Sequence, residues 1–108
     1  MRVLLDQATP VPIRSYLDRH VVSTASEQGW DTLKNGELLT VAEAAGFEVL
    51  LTTDKNLRYQ QNLSGRKIAV VIIGRQQWPQ LSRHVQRVVE AVDAAVPGSY
   101  TEIDIPPI

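Results

Sequence analysis

Three stretches of this chain are apolar without a break: Val3, Leu4 and Leu5; Val49, Leu50 and Leu51, continued by the β-branched Thr52; and Ile68 through Ile73. A strand with one face in water alternates polar and apolar residues, whereas a strand covered on both faces has no reason to. Each run is short and is stopped by a polar or turn-forming residue (Asp6, Thr53 with Asp54, Gly74), which suits the inner strands of a parallel sheet. Parallel strands need crossovers, usually helical, so the pattern predicts an α/β fold: a three-layer α/β/α sandwich around a mainly parallel five-stranded sheet. A length of 108 residues holds one core and not two, so residues 1–108 are expected to form a single domain.

The other elements follow from local signals. Residues 2–5 form the first strand. A short helix is expected over 9–17, with Thr9 as cap and Pro10 and Pro12 in its first turn, followed by a second strand over 20–24. Ser26 to Gln28 make a single turn stopped at Gly29, and Trp30 anchors that segment to the core. Asn35 reads as the cap of a helix with a Leu38, Val41, Ala42 and Ala45 stripe and Gly46 as its stop. The third strand covers 47–53, a short helix capped by Asn56 covers 56–63, and the fourth strand covers 67–73. The longest helix is expected over 79–96 on the spacing of Leu81, Val85, Val88, Val89, Val92 and Val96. Residues 100–105 then alternate and read as an edge strand, ended by Pro106 and Pro107. Right-handed crossovers are expected throughout.

Two of the apolar runs stop on an acid, Asp6 and Asp54. If their strands are parallel neighbours, both carboxylates emerge at the carboxyl edge, where open α/β sheets bind ligands. Glu37, in the first turn of its helix, is a third acid that the topology could bring to the same edge. Carboxylates that converge repel one another unless a cation sits among them, and Mg²⁺ suits such a site because it takes oxygen ligands and keeps several waters. Each acid also has a purely structural reading. Glu37 complements the helix dipole, Asp6 bonds the turn after its strand, and Asp54 opens a turn by accepting from nearby amides.

Other chemistries are excluded or weakly supported. There is no cysteine, which removes disulfides, thiolate nucleophiles and Cys-ligated zinc. No apolar segment reaches the roughly 20 residues that span a bilayer, and the start of the chain lacks the apolar core of a secretion signal, so a cytoplasmic protein is expected. No Gly-rich loop follows the first strand, no nucleophile elbow surrounds a serine, and His20 and His84 have no metal-ligand spacing. Net charge is −1, yet Lys55, Arg58, Arg66, Lys67 and Arg75 fall close together around Asp54, as a protein that handles a phosphate backbone beside a metal requires. Lys55 and Arg58 are the expected phosphate contacts, with Gln7 and Asn56 as further nucleic-acid contacts, Asn35 and Thr53 as supporting polar groups, and Tyr59, Gln60 and Gln61 along the same groove. Trp30 and Trp78 read either as base-stacking surfaces or as core anchors.

The segments MRVLLDQATPVPIRSYL, LKNGELLTVAEAAGFEVLLTTDKNL and GRKIAVVII together resemble the PIN-like family of small bacterial proteins, relatives of the PIN-domain ribonuclease toxins of toxin–antitoxin systems. The resemblance covers most of residues 1–75. It implies an acidic pocket binding Mg²⁺ (or Mn²⁺) at the carboxyl edge of the sheet, used to cleave single-stranded RNA, with Asp6, Glu37 and Asp54 as metal-binding and catalytic acids. It further implies a cognate antitoxin and a homodimer as partners. The chain departs from the family pattern at Asn35, where relatives often carry Asp, and at Asn56 and Leu57, where they often carry Asp and Phe. Amides in place of carboxylates bring no charge, so the alternative is a catalytically impaired module of the same family that binds RNA or a protein partner.

Overall fold

The structure, a computed structural model, describes residues 1–57, 63, 65–74 and 77–106, with the side chain of residue 35 outside that description. Five strands, β1 (Arg2–Leu5), β2 (Val21–Thr24), β3 (Val49–Thr52), β4 (Ala69–Ile73) and β5 (Tyr100–Ile103), form one sheet in the order β2-β1-β3-β4-β5. All four pairings are parallel, so the sheet is wholly rather than mainly so. The helices are α1 (Asn35–Ala44), α2 (Trp78–Leu81) and α3 (Val85–Asp93), with 3-10 segments at Val11–Tyr16 and Ser82–His84.

The three uninterrupted runs occupy the places their composition demanded. Every residue of β3 and β4, and all of β1 after Arg2, is buried. Register divides their side chains between two cores. Val3, Leu5, Val49, Leu51, Val71, Ile73 and Ile103 share one face with Ile13 and Leu17 of the first 3-10 region and with Leu81, Val88 and Val92. Leu4, Leu50, Val70 and Ile72 share the other with Leu38, Leu39 and Ala42 of α1 and with Phe47 and Leu57. The result is an α/β/α sandwich.

Which helix lies on which face has a topological consequence. The steps β2 to β3 and β4 to β5 move in the same direction across the sheet, but α1 packs on the even-numbered face and α3 on the odd-numbered one. The two crossovers therefore have opposite hands, and right-handedness throughout does not hold. The physical cause is coverage. The six-residue 3-10 segment Val11–Tyr16 is too short to shield Val49, Leu51, Val71 and Ile73 as well as β1, and α3 closes that face.

Local differences have local causes. The 9–17 region is 3-10 rather than α: Ile13 donates to Pro10 and Leu17 to Arg14, both three residues back, and the prolines at 10 and 12 sit at its start, where no intrahelical donor is needed. Pro10 is its N-cap residue, and Thr9 is buried beneath it with another task. Asn35 is already helical, so the cap position falls on Lys34, which makes no side-chain cap bond. The other end of α1 is as expected: Gly46 (φ +89°) donates to Glu43 and Phe47 to Ala42, a Schellman closure that needs a left-handed residue. The long helix expected over 79–96 starts at Trp78, passes through the 3-10 turn Ser82–His84 and ends at Asp93. Ser82 Oγ donates back to the Pro79 carbonyl at 3.2 Å, a bond that competes with the helical ladder at the break. The 56–63 helix falls for the most part outside the described residues.

Candidate functional site

Because β1 leaves toward β2 over one face while β2 returns to β3 under the other, the connections part at the β1/β3 boundary. The order 2-1-3-4-5 is one of the two common doubly wound arrangements, and its crevice opens outside the carboxyl ends of β1 and β3. A cleft of about 720 Å³ lies there.

Asp6 is the first residue past β1. Its amide donates to the Leu51 carbonyl at 3.1 Å, which extends the β1/β3 pairing, and its own carbonyl accepts from the Thr9 amide at 3.2 Å. Both carboxylate oxygens are engaged: Oδ1 accepts from Thr9 Oγ1 at 2.6 Å and Oδ2 from Thr52 Oγ1. The same Thr52 hydroxyl accepts from the Asp54 amide at 3.1 Å. One buried hydroxyl at the end of β3 thus links the Asp6 carboxylate to the backbone of Asp54. Asp54 Oδ1 accepts from the Asn56 amide at 2.9 Å, an Asx turn that fixes the chain as it leaves the sheet. The structural readings of Asp6 and Asp54 are therefore realised. They leave room for a second role, since an ionised carboxylate offers about four lone-pair directions.

Asp6, Gln7, Thr53, Asp54, Lys55 and Asn56, six of the residues singled out from sequence, line this one cleft. Thr53 is buried, and its Oγ1 has no hydrogen-bond partner among the described residues. Lys55 is exposed, and its stem runs over Gly74 at the end of β4, where a Cβ would stand 3.4 Å from Lys55 Cε. Glu37 does not line the cleft; it is exposed in the first turn of α1, where it complements the dipole. Arg58, Tyr59, Gln60 and Gln61, like the Asn35 side chain, lie outside the described residues.

Sequence reading missed Asp31, Gln77 and Gln80, which also line the cleft. Asp31 follows a turn with no periodicity to flag it, and the glutamines sit at the start of a helix whose stripe drew attention to its apolar side. Asp6, Asp31 and Asp54 face a single described cation, Lys55, so the described lining carries excess negative charge. Still, among the described residues no three of His, Cys, Asp and Glu are grouped closely enough to hold a metal ion. His20 has a structural role instead: half-buried, it sits between the Met1 amine (3.1 Å) and Asp93 (2.6 Å). Trp30 is the core anchor that was expected, edge-on to Phe47 with centroids 5.9 Å apart, and also part of the cleft wall. No helix among the described residues is long and apolar enough to cross a membrane. No family model, curated protein or solved structure matches the chain, so the cleft is interpreted from its own geometry.

Proposed function

We propose that the chain is a PIN-like domain that cleaves single-stranded RNA with the help of Mg²⁺ or Mn²⁺, in the crevice between the ends of β1 and β3. Such a domain would serve in the cytoplasm as the toxin beside a cognate antitoxin. The observation that carries this reading is the Thr52 hydroxyl, which ties the Asp6 carboxylate to the start of the Asp54 turn. Donor chemistry fits a hard cation: Asp6 and Asp54 supply carboxylate oxygens, and the described lining contains no nitrogen or sulfur ligand of the His or Cys type. Mg²⁺ is commonly held by one or two carboxylates together with substrate phosphate, so the Asp6 and Asp54 pair suffices without Glu37. When bound, the cation supplies activation of a water and charge stabilisation at the leaving oxygen.

The chain's own residues do the rest. Thr9 and Thr52 hold the Asp6 carboxylate in one orientation, and Lys55 brings positive charge to the phosphate from the β4 side. Gln7 and Asn56 offer neutral donors beside the two acids. Excess negative charge in the described lining repels a phosphodiester, so RNA binding is expected to need a divalent cation even when no cutting follows.

A titration of labelled single-stranded RNA with Mg²⁺ and Mn²⁺ tests this. Cleavage that rises with metal and drops by about 100-fold or more in Asp6→Asn and in Asp54→Asn is expected, the scale of losing a positioned acid–base or electrostatic group. A wild-type protein that leaves RNA intact at millimolar Mn²⁺ overturns the nuclease reading. That no three acids are grouped among the described residues favours a second reading, an impaired PIN-like module that binds without cutting. RNA bound in the presence of Ca²⁺, Mg²⁺ or Mn²⁺ and never cleaved is its signature.

A further inference from the structure

The cleft holds more than a phosphate and a cation require. At about 720 Å³ it falls within the range of roughly 300–1,000 Å³ typical of sites that enclose an organic ligand. Its chemistry is also divided. Acids and Lys55 cluster where the strands end, while Ala25, Trp30, Leu33 and Leu38 make an apolar wall on the α1 side. Nothing in the phosphodiester chemistry uses that wall.

We propose that Trp30 is a stacking platform for one unpaired base of the bound RNA, and that Gln77 and Gln80, entering the cleft from the α2 side, read the edge of that base. This rests on the reading that RNA occupies the cleft. Three features of Trp30 support it. The residue is half-buried and its ring is braced by Phe47, edge-on at 77°, so little side-chain freedom remains to be lost on stacking. Its backbone is pinned by bonds from its own amide to Ala25 (2.8 Å) and from Leu33 to its carbonyl (3.1 Å). And it is half-buried and belongs to the lining, so its core role leaves part of the residue to the cleft. Aromatic stacking accepts any base, whereas a glutamine amide carries both donor and acceptor and so distinguishes base edges. Gln77 and Gln80 come from the opposite face of the sheet to Trp30, which places amides and indole on two sides of one opening.

The test uses single-stranded RNA pentamers and an abasic ribose-phosphate pentamer, with Ca²⁺ in place of Mg²⁺. On wild-type protein the base-bearing pentamer is expected to bind about tenfold more tightly than the abasic one. In Trp78→Phe, which leaves Trp30 as the one tryptophan of the chain, the base-bearing pentamer is expected to quench indole emission and the abasic one to leave it unchanged. Gln77→Ala with Gln80→Ala is expected to keep the quenching and to level the affinities of A, C, G and U pentamers. Equal affinity for both pentamers, or tight binding with unchanged Trp30 emission, overturns the base subsite and leaves the phosphate site standing. Failure of both pentamers to bind overturns the RNA reading itself, and the subsite with it.

Discussion

A single hydroxyl does more to define the site than any one of the acids. The Thr52 hydroxyl, on a buried residue, donates to the Asp6 carboxylate and accepts from the Asp54 amide, and both partners line the cleft. Valine has almost the same shape and can do neither. Thr52→Val would take one partner from the Asp54 amide and one from the Asp6 carboxylate, and hydrogen bonds to charged groups are worth about 1.5–3 kcal/mol. We expect Thr52→Val to lower the urea midpoint by an amount equivalent to about 2 kcal/mol with an unchanged slope, and Thr52→Ser to recover most of it. An unaltered midpoint in the valine variant would mean that the link between the two strand ends carries no energy.

Among the elements, α3 is the one whose role sequence periodicity overstated in length and understated in consequence. The apolar stripe treats Val88 and Val96 alike, but Val88 is fully buried against the odd-numbered face of the sheet and Val96 is 59% exposed beyond the helix end. The chain turns there through Gly98, whose φ of +75° and approach to the Arg66 carbonyl (3.0 Å from a would-be Cβ) leave no room for a side chain, and whose amide bonds the Lys67 carbonyl to start β5 beside β4. Denaturation should therefore separate the two valines: Val88→Ala is expected to cost about 2 kcal/mol and Val96→Ala less than about 0.5 kcal/mol. Equal costs would show that α3 does not cover the sheet as described.

At the scale of the whole molecule, an open parallel sheet has two edges, and β2 is one of them. Three of its outward groups, the Val22 carbonyl and the Thr24 amide and carbonyl, are already occupied. Arg14 donates to the Val22 carbonyl at 3.1 Å and to the Glu27 carboxylate, which accepts from the Thr24 amide at 2.8 Å, and the Gln28 amide takes the Thr24 carbonyl. This arrangement protects the edge from pairing with another strand. The Arg14 guanidinium, and after it the Thr24 amide, hold the Glu27 carboxyl below its usual range. A depressed carboxylate stabilises the fold above its unfolded-state pKa, and that contribution fades as pH falls through the lower folded-state value. Glu27→Gln is thus expected to melt below the wild type at pH 7, with the gap closing towards pH 3. A gap that stays constant across that range would show that the charge on Glu27 is not what secures the edge.

The sequence by itself determined the layers. Apolar runs without alternation at 3–5, 49–51 and 68–73 suit short strands covered on both faces, and acids at the ends of two of them point to one edge of a parallel sheet, because run length, lack of alternation and the residue that stops a run are all written in the local sequence. The placement of Asp6 and Asp54 was legible for that reason. Tertiary structure decided what depends on contacts distant in the chain: that Glu37 stays outside the cleft while Asp31 lines it, that Thr9 and Thr52 engage the Asp6 carboxylate, and that α3 crosses on the face opposite to α1. A helix carries its charged residues wherever its apolar stripe is docked, and which face of the sheet lacks cover is known only once every other element has taken its place.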